Sequence, residues 1–306
     1  MSLKSRKEAF DYVSERFENN RIDDLLIEHQ IHGKLFKRLQ VAAAMYISKS
    51  VGDRECEVDE ESLMNLLDSK SSEVLNITPN GMIVPKRHLV LEYNLLASAF
   101  SDIIESLAIG DLISSWHVPL NLRYKQGVVN EDNLQRHHPT EHIHSDSWAG
   151  ESSESVTVMI PIFGDIEHNH VAFYKAPADF QESWLGPLPS YLDGKQYADK
   201  YSKIDFIPTQ GFLILSDFAG LHASARLPNA KSRISIDTTF VLKKNGDDRE
   251  PEKIHEWREG ERATPEILSS LGSRKLLYFP DAAEEWVDSE GGFKHPTNLH
   301  VKDLGE

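Results

Sequence analysis

The sequence predicts a mainly β protein, an antiparallel barrel or jelly roll, preceded by a helical region. Before residue 110, apolar residues recur at three- and four-residue spacing, which is typical of amphipathic helices. From residue 116 onward, short segments rich in Val, Ile, Thr and aromatic residues alternate with Gly and Pro. No helical pattern separates these segments, which argues against a doubly wound parallel sheet.

The individual elements follow from these patterns. The clearest helix covers residues 88–107, with an apolar stripe formed by Leu89, Tyr93, Leu96, Phe100, Ile103, Ile104 and Leu107. Six strands are predicted, over residues 116–124, 155–163, 170–176, 204–207, 211–215 and 232–242. Residues 177–203 have little periodicity, and long irregular loops are usually functional, so we predict a lid-like insertion there.

These elements divide one integrated domain into three parts. Residues 1–115 form the helical region, residues 116–245 form the β core with its insertion at 177–203, and residues 246–306 form a polar C-terminal extension. A chain of 306 residues with 40% apolar residues is long enough to bury a substantial core.

Charge and cysteine content restrict the function classes. The formal net charge of −16 repels phosphate backbones and anionic lipids, so we expect neither nucleic-acid nor membrane binding. The single cysteine, Cys56, excludes an intramolecular disulfide and a thiolate metal cluster. The first ten residues lack the apolar core of a secretory signal, and no apolar run approaches the roughly 18 residues of a membrane span. We therefore expect a cytoplasmic protein.

A cluster of histidines and carboxylates points to a metal site. Residues at positions i and i+2 of an extended segment face the same side, so His144 and Asp146 are candidate ligands of one metal, as are His142 and His144. His222 follows a predicted strand and is the candidate third ligand. Two histidines and one carboxylate leave coordination positions open, an arrangement that suits non-haem Fe(II).

A charged residue within a predicted strand suggests a second ligand. Arg233 lies in an otherwise apolar and hydroxyl-bearing segment, where a guanidinium needs a partner. A carboxylate bound through both oxygens would fit its fork geometry. Ser235 points to the same side of the strand and offers a hydroxyl group.

Together these positions resemble the motif of the Fe(II)/2-oxoglutarate-dependent dioxygenases. The resemblance consists of His144-x-Asp146, then His222, then Arg233-x-Ser235, and it covers roughly residues 116–242. The spacing from His222 to Arg233 is most similar to the histidine-to-arginine spacing in the branch typified by phytanoyl-CoA hydroxylase. Residues 122–127 are also similar to the strand that precedes the metal motif in that branch.

The resemblance implies a fold, a reaction and a set of site residues. The fold would be a double-stranded β-helix, a cupin-like jelly roll whose major sheet is buttressed by the N-terminal helices. The reaction would couple oxidative decarboxylation of 2-oxoglutarate to hydroxylation, or a related oxidation, of a small molecule by dioxygen. His144, Asp146 and His222 would hold Fe(II), and Arg233 would bind the far carboxylate of 2-oxoglutarate. Ser235 and Tyr124 would assist, although packing is the preferred explanation for Tyr124.

Two other classes of function remain open at this stage. The chain would be a cupin-type metal-dependent isomerase or binding protein if His142, His144 and His222 were the ligands. It would be a catalytically silent jelly-roll binding module if His144 and Asp146 were an ordinary loop pair. A separate alternative for Arg233 is a structural ion pair, given the many acidic residues of this protein.

Overall fold

Antiparallel sheets and a group of helices make up the part of the chain that the structure describes. The structure is a computed structural model and describes residues 2–52, 59–71, 77–85, 87–117, 120–129 and 131–243, with strand segments at 262–263, 275–278 and 300–303. The predicted C-terminal extension, residues 246–306, therefore lies largely outside the described residues. None of the described helices is long and apolar enough to cross a bilayer.

Most of the helices precede the sheet, as predicted. Their bounds are α1 Leu3–Ser14, α2 Gly33–Ser50, α3 Glu60–Lys70, α4 Val90–Ser106, α5 Glu131–Leu134 and α6 Lys195–Ala198. Helix α4 confirms the predicted helix over residues 88–107, and its apolar stripe is buried. Ser2 and Asp59 begin α1 and α3 as N-caps, each accepting a hydrogen bond from a backbone amide of the first turn.

The strands are β1 Asn20–Asp23, β2 Leu26–Gln30, β3 Ile113–His117, β4 Asn121–Lys125, β5 Ser155–Gly164, β6 Asn169–Lys175, β7 Ser202–Lys203, β8 Phe212–Asp217, β9 Leu221–Arg226, β10 Arg233–Leu242, β11 Arg262–Ala263, β12 Lys275–Tyr278 and β13 His300–Asp303. Within the described residues, the large sheet has the order β1-β2-β8-β5-β10-β3-β11, and β4 also pairs with β10. A small sheet has the order β7-β6-β9, and β12 pairs with β13.

The prediction of which segments form strands was wrong in three places. Strands β1 and β2 form a hairpin inside the region predicted to be helical, because β2 pairs with β8 at the edge of the large sheet. Residues 204–207 are not a strand, whereas β7 immediately before them pairs with β6. Strand β9, which carries His222, was not predicted, because its mixture of small and polar residues lacks a clear strand pattern.

The main core lies between the helices and one face of the large sheet. Tyr46 from α2 and Phe100 from α4 belong to the same buried cluster as Ile234, Ile236 and Phe240 from β10. Successive side chains of a strand point to opposite faces, so the alternate residues of β10 face away from this core. They line the cavity described below.

The segment predicted to be a lid is packed at both of its ends. Phe180, Trp184 and Leu185 are buried in the main core, and Tyr191 and Ala198 are buried in a second cluster. The segment contains short helical turns at Glu182–Leu185 and Tyr191–Gly194 in addition to α6. Its movement on substrate binding stays a prediction.

Candidate metal centre and adjoining cavity

A backbone bridge brings His144 beside His222. The amide of each residue donates to the carbonyl oxygen of the other, and both hydrogen bonds measure 2.9 Å. His222 lies in β9, and His144 pairs with it as an isolated antiparallel bridge. The two imidazole ring centroids are 4.3 Å apart. Two residues that are distant in sequence are thereby held as direct neighbours.

Asp146 reaches both histidines because the chain turns immediately after His144. Ser145 is extended, with φ −105° and ψ 142°, and caps a single helical turn over Asp146–Ala149. The Asp146 Oδ1 atom lies 3.6 Å from His144 Nε2 and 3.8 Å from His222 Nε2. One potential ligand atom from each of the three residues lies within 4.8 Å of the others. The structure therefore brings together the three predicted ligands.

The protonation of the two imidazoles suits metal binding. His144 Nδ1 donates to the His142 carbonyl oxygen at 2.7 Å, which places the proton on Nδ1 and leaves a lone pair on Nε2. His144 is fully buried, and its Nε2 atom has no hydrogen-bond partner among the described residues. Burial lowers the pKa of His222 to about 4, and the neighbouring His144 contributes to the shift. The His222 ring is therefore neutral near pH 7, and the donor set of two imidazoles and one carboxylate fits a divalent transition metal.

His142 does not join this group. Its Nε2 atom donates to the carbonyl oxygen of Leu134 at 3.2 Å, so the proton on that nitrogen blocks its lone pair. Among the described residues, the potential ligand group that contains His144 and His222 has Asp146 as its third member. The alternative ligand set with His142 is therefore not assembled.

A cavity extends from these three residues between the large sheet and the small sheet. Strand β10 presents Arg233, Ser235 and Asp237 to it, and the small sheet contributes Phe173 and His222. Strand β4 is a neighbour of β10 in the sheet. In the register of this pair, Arg233 lies opposite Lys125 and Ser235 lies opposite Arg123. Both of these β4 residues also line the cavity. Ser235 and Arg233 thus occupy the same face, as the alternation of strand residues predicts.

Arg233 is a buried cation without a carboxylate beside it. Only 3% of the residue is exposed. Its Nη1 atom donates to Ser235 Oγ at 2.6 Å and its Nε atom to Asn169 Oδ1 at 3.3 Å. No carboxylate of the described residues lies within ion-pair distance of it. Burial, reinforced by the positive charge of Arg226, lowers the pKa of Arg233 to about 10. The site favours an anionic ligand at this position.

Lys125 is a cavity residue that sequence reasoning missed. It is 4% exposed, its Nζ atom donates to Thr140 Oγ1 at 2.5 Å, and it pairs with Glu141 Oε1 at 3.2 Å. Burial lowers its pKa to about 7, against the opposing effect of Glu141. The strand alternation at residues 121–125 would have identified Lys125 and Arg123 as a pair on one face.

The assignment of Tyr124 to the co-substrate site needs correction. Tyr124 lies between Arg123 and Lys125 in β4, so its side chain points to the opposite face. There it belongs to the main core, and its hydroxyl donates to Asp68 Oδ1 at 2.5 Å. Tyr124 does not line the cavity that contains Arg233. Packing, the alternative explanation, accounts for its position.

Tyr191 also contacts the candidate metal centre, although sequence reasoning gave it no role. Its ring stacks on the imidazole of His144, with centroids 4.1 Å apart and an interplanar angle of 19°. Its amide donates to the His137 carbonyl oxygen at 2.8 Å. Tyr191 lies in the 177–203 segment, so that segment covers one side of the centre. Nothing in the local sequence pattern indicates this long-range contact.

The sequence matches no family model and no curated protein. Several solved structures are similar to the chain. One is an N-substituted L-amino acid dioxygenase from Burkholderia ambifaria AMMD, 13% identical over 78% of this chain and 89% of that chain, with a TM-score of 0.37. Another is the non-heme alpha ketoglutarate-dependent epimerase SnoN from nogalamycin biosynthesis, 11% identical over 84% of this chain and 95% of that chain, with a TM-score of 0.40.

A third similar structure is EctD from S. alaskensis with 2-oxoglutarate and 5-hydroxyectoine. It is 18% identical, the alignment covers 86% of each chain, and the TM-score is 0.41. Identities and TM-scores this low do not establish a function for the present chain.

Proposed function

We propose that this protein is a non-haem iron oxygenase that couples oxidative decarboxylation of 2-oxoglutarate to hydroxylation, or a related oxidation, of a small molecule. In this reaction, 2-oxoglutarate, dioxygen and the substrate yield succinate, carbon dioxide and the oxidised substrate. The observation that carries the proposal is the buried, unpartnered Nε2 atom of His144. This atom faces Asp146 and His222. The same cavity contains Arg233, which has no carboxylate of the described residues within ion-pair distance.

Fe(II) would be held by His144, Asp146 and His222. When bound, the iron supplies the redox chemistry with dioxygen. The chain itself keeps the His222 imidazole neutral and fixes the His144 tautomer through the His142 carbonyl. Two histidines and one carboxylate leave positions open for a chelating co-substrate, which separates this set from a closed structural site.

The co-substrate would lie between the metal ligands and Arg233. Arg233 offers its guanidinium to the far carboxylate, and Ser235 holds the Nη1 atom in place at 2.6 Å. Lys125, opposite Arg233 in the register of β4 and β10, adds a second positive charge to the same end of the cavity. Phe173, Val171 and Ile214 contribute an apolar wall that excludes water from the remainder of the cavity.

For the fold, we infer a double-stranded β-helix in which the large and small sheets form the two faces of a jelly roll. The eleven-residue interval from His222 to Arg233 supports a place in the phytanoyl-CoA-hydroxylase-like branch. The cavity between the two sheets is where such a fold holds its ligands. The division into residues 1–115, 116–245 and 246–306 stays part of this proposal.

Metal titration tests the ligand set. His144→Ala, Asp146→Ala and His222→Ala should each weaken Fe(II) binding more than about 100-fold, which exceeds the usual cost of removing an outer hydrogen-bond partner of a ligand. Binding is measured under anaerobic conditions by competition with a chromogenic chelator. Circular dichroism should stay close to that of the wild type, because the substitutions leave the backbone hydrogen bonds between residues 144 and 222 in place.

His142→Ala is the matched control, since it removes a neighbouring histidine whose Nε2 atom is directed to Leu134. It should retain most Fe(II) affinity. If His142→Ala lost the metal while Asp146→Ala kept it, the cupin-type alternative would replace the oxygenase. Failure of the wild type to bind any divalent metal would leave a silent binding module.

Co-substrate binding is tested on the iron-loaded protein. Arg233→Ala should weaken 2-oxoglutarate binding about 30-fold or more, because it removes one partner of a buried charge pair. Arg233→Lys should recover part of the affinity, since it keeps the charge without the fork. Both variants should still bind Fe(II). Anaerobic titration of the charge-transfer absorption gives the affinities, and unchanged affinity in Arg233→Ala would reject the role of Arg233.

A further inference from the structure

A second, more polar cavity opens beside the candidate metal centre. It is bounded by the turn at residues 78–82, strands β3 and β4, and Tyr191. We call it the outer cavity. It shares Arg123, Thr140, Asp146 and Asp237 with the cavity that contains Arg233. Because the proposed metal ligand Asp146 lines both spaces, a molecule in the outer cavity would lie beside the metal.

The outer cavity contains two arginines in different electrostatic states. Arg123 is neutralised by Asp237, with Nε–Oδ2 at 2.6 Å and Nη2–Oδ1 at 3.1 Å. Arg136 is half-buried, and its Nη1 atom donates to the neutral Asn80 Oδ1 at 3.1 Å. No carboxylate of the described residues lies within ion-pair distance of Arg136. Burial lowers its pKa, with Glu141 opposing the shift.

The position of Arg136 is fixed by a tight turn. Asn80, its hydrogen-bond partner, also donates from Nδ2 to the His138 carbonyl oxygen at 3.1 Å. The next residue, Gly81, has φ +85°, and a Cβ atom there would lie 2.2 Å from the Tyr124 carbonyl oxygen. Only glycine fits this turn. The guanidinium is therefore held in place by a neutral partner, and no carboxylate of the described residues is close enough to form an ion pair with it.

We propose that the outer cavity binds the primary substrate and that Arg136 binds an anionic group on it, a carboxylate or a phosphate. The identification of this anion as the substrate rests on the proposed oxygenase function. The binding of an anion by Arg136 does not depend on that function. Arg136 thereby selects ligands that carry an anionic group over neutral ones of similar size. Their remaining atoms lie toward Asp146, and the anionic group lies on the Arg136 side.

Three probes that share a 3-methylbutyl group test the charge preference: 4-methylpentanoate, 3-methylbutyl phosphate and the neutral 4-methylpentanamide. The full chain is loaded with Co(II) and saturated with 2-oxoglutarate, which occupies the inner cavity. Paramagnetic relaxation of the probe methyl protons reports proximity to the metal. At least one anionic probe should show enhanced relaxation and bind about tenfold or more tightly than the amide. The comparison of the two anions identifies carboxylate or phosphate as the preferred group.

Substitutions assign the effect to one residue. Arg136→Gln should remove the advantage of the anionic probe, and Arg136→Lys should keep part of it. Arg16→Gln is the control, because Arg16 lies on the surface beside Asp111, away from both cavities. Equal binding of anion and amide, or an anion preference that persists in Arg136→Gln, would overturn the proposal.

A metal-free measurement separates this inference from the proposed function. Saturation-transfer NMR on the metal-free chain should show the same dependence on Arg136. If 2-oxoglutarate fails to bind but the Arg136-dependent preference persists, the co-substrate assignment falls and the anion site stands. If 2-oxoglutarate binds and the preference is absent, the anion site falls and the oxygenase proposal stands.

Discussion

Arg6 and Arg233 are both almost completely buried, 1% and 3% exposed, but their surroundings differ. Arg6, in α1, donates to both carboxylate oxygens of Asp217 at 2.9 and 3.1 Å and to Glu182 at 2.8 Å. Arg233 donates to two neutral side chains and faces a cavity. Burial alone would lower both pKa values. The carboxylates outweigh it and raise the pKa of Arg6, whereas the pKa of Arg233 falls to about 10.

We propose that this difference distinguishes a structural arginine, Arg6, from a ligand-binding one, Arg233. Arg6 has its compensating charges within the fold, where it joins α1 to the end of β8 and to the 177–203 segment. Arg233 has no carboxylate of the described residues within ion-pair distance, which supports the proposal that an anionic ligand compensates it. The 177–203 segment touches both regions, since Glu182 pairs with Arg6 and Tyr191 stacks on His144.

The largest effect is expected from removing Arg6. Arg6→Met should lower the free energy of unfolding by about 3–5 kcal/mol, because it leaves Asp217 and Glu182 without their cation. Lys7→Met is the control on the same helix; its ion pair with Asp24 is exposed and should contribute about 1 kcal/mol or less. Urea unfolding followed by circular dichroism measures both. A loss below 1 kcal/mol for Arg6→Met would remove the contrast between the two arginines.

Removing Arg233 should weaken ligand binding and leave the stability of the fold nearly unchanged. Arg233→Met should leave the free energy of unfolding within about 1 kcal/mol of the wild type, or raise it, because an uncompensated buried charge is removed. It should weaken 2-oxoglutarate binding about 30-fold. Arg6→Met, in the same titration at a temperature where it is folded, should retain its affinity. If Arg233→Met lost as much stability as Arg6→Met, Arg233 would be structural as well.

Lys125 should make the Arg233 region sensitive to pH. Its lowered pKa of about 7 means that it gains its charge as the pH falls through 7, so 2-oxoglutarate affinity should decrease between pH 6 and pH 8. The decrease should be up to about tenfold, because one charge is lost at the co-substrate end of the cavity. The charged groups facing Lys125 are Arg123, Glu141, Arg226 and Arg233. Arginines and a carboxylate with a lowered pKa keep their charges over this range.

Lys125→Met provides the control for this pH effect. Its 2-oxoglutarate affinity should be lower at pH 6 and nearly constant up to pH 8. Isothermal titration calorimetry across this range, with Arg6→Met as a second control, measures the slopes. A wild-type slope that survives in Lys125→Met would assign the titration to another group.

The smallest effect is expected at the contact between the 177–203 segment and the metal centre. Tyr191→Leu removes the stacking on His144, which contributes about 0.5–1.5 kcal/mol, and should weaken Fe(II) binding by up to about tenfold. Tyr191→Phe keeps the ring and should bind iron like the wild type. The chelator competition assay compares them. Equal affinity in Tyr191→Leu and Tyr191→Phe would show that the segment covers the centre without positioning His144.

Local sequence patterns predicted much of the framework. The helical stripe of residues 88–107 and most strands of the large sheet were recognisable, because a buried face imposes a regular apolar spacing. The hairpin at β1 and β2 was not, because its pairing with β8 comes from residues far away in the chain. Strand β9 was missed for the same reason, since small and polar residues in a strand depend on the partner strand.

For the site, the sequence by itself determined which residues share a face. The i, i+2 spacing of Arg233 and Ser235 and the short His144-x-Asp146 interval needed no tertiary information. Only the tertiary structure decided what those faces meet. The bridge between His144 and His222, the direction of Tyr124 and the neighbours of Lys125 all depend on pairing between distant segments. Whether a buried arginine is compensated, as Arg6 is, or open to a ligand, as Arg233 is, depends on charges that only folding brings within a few ångströms.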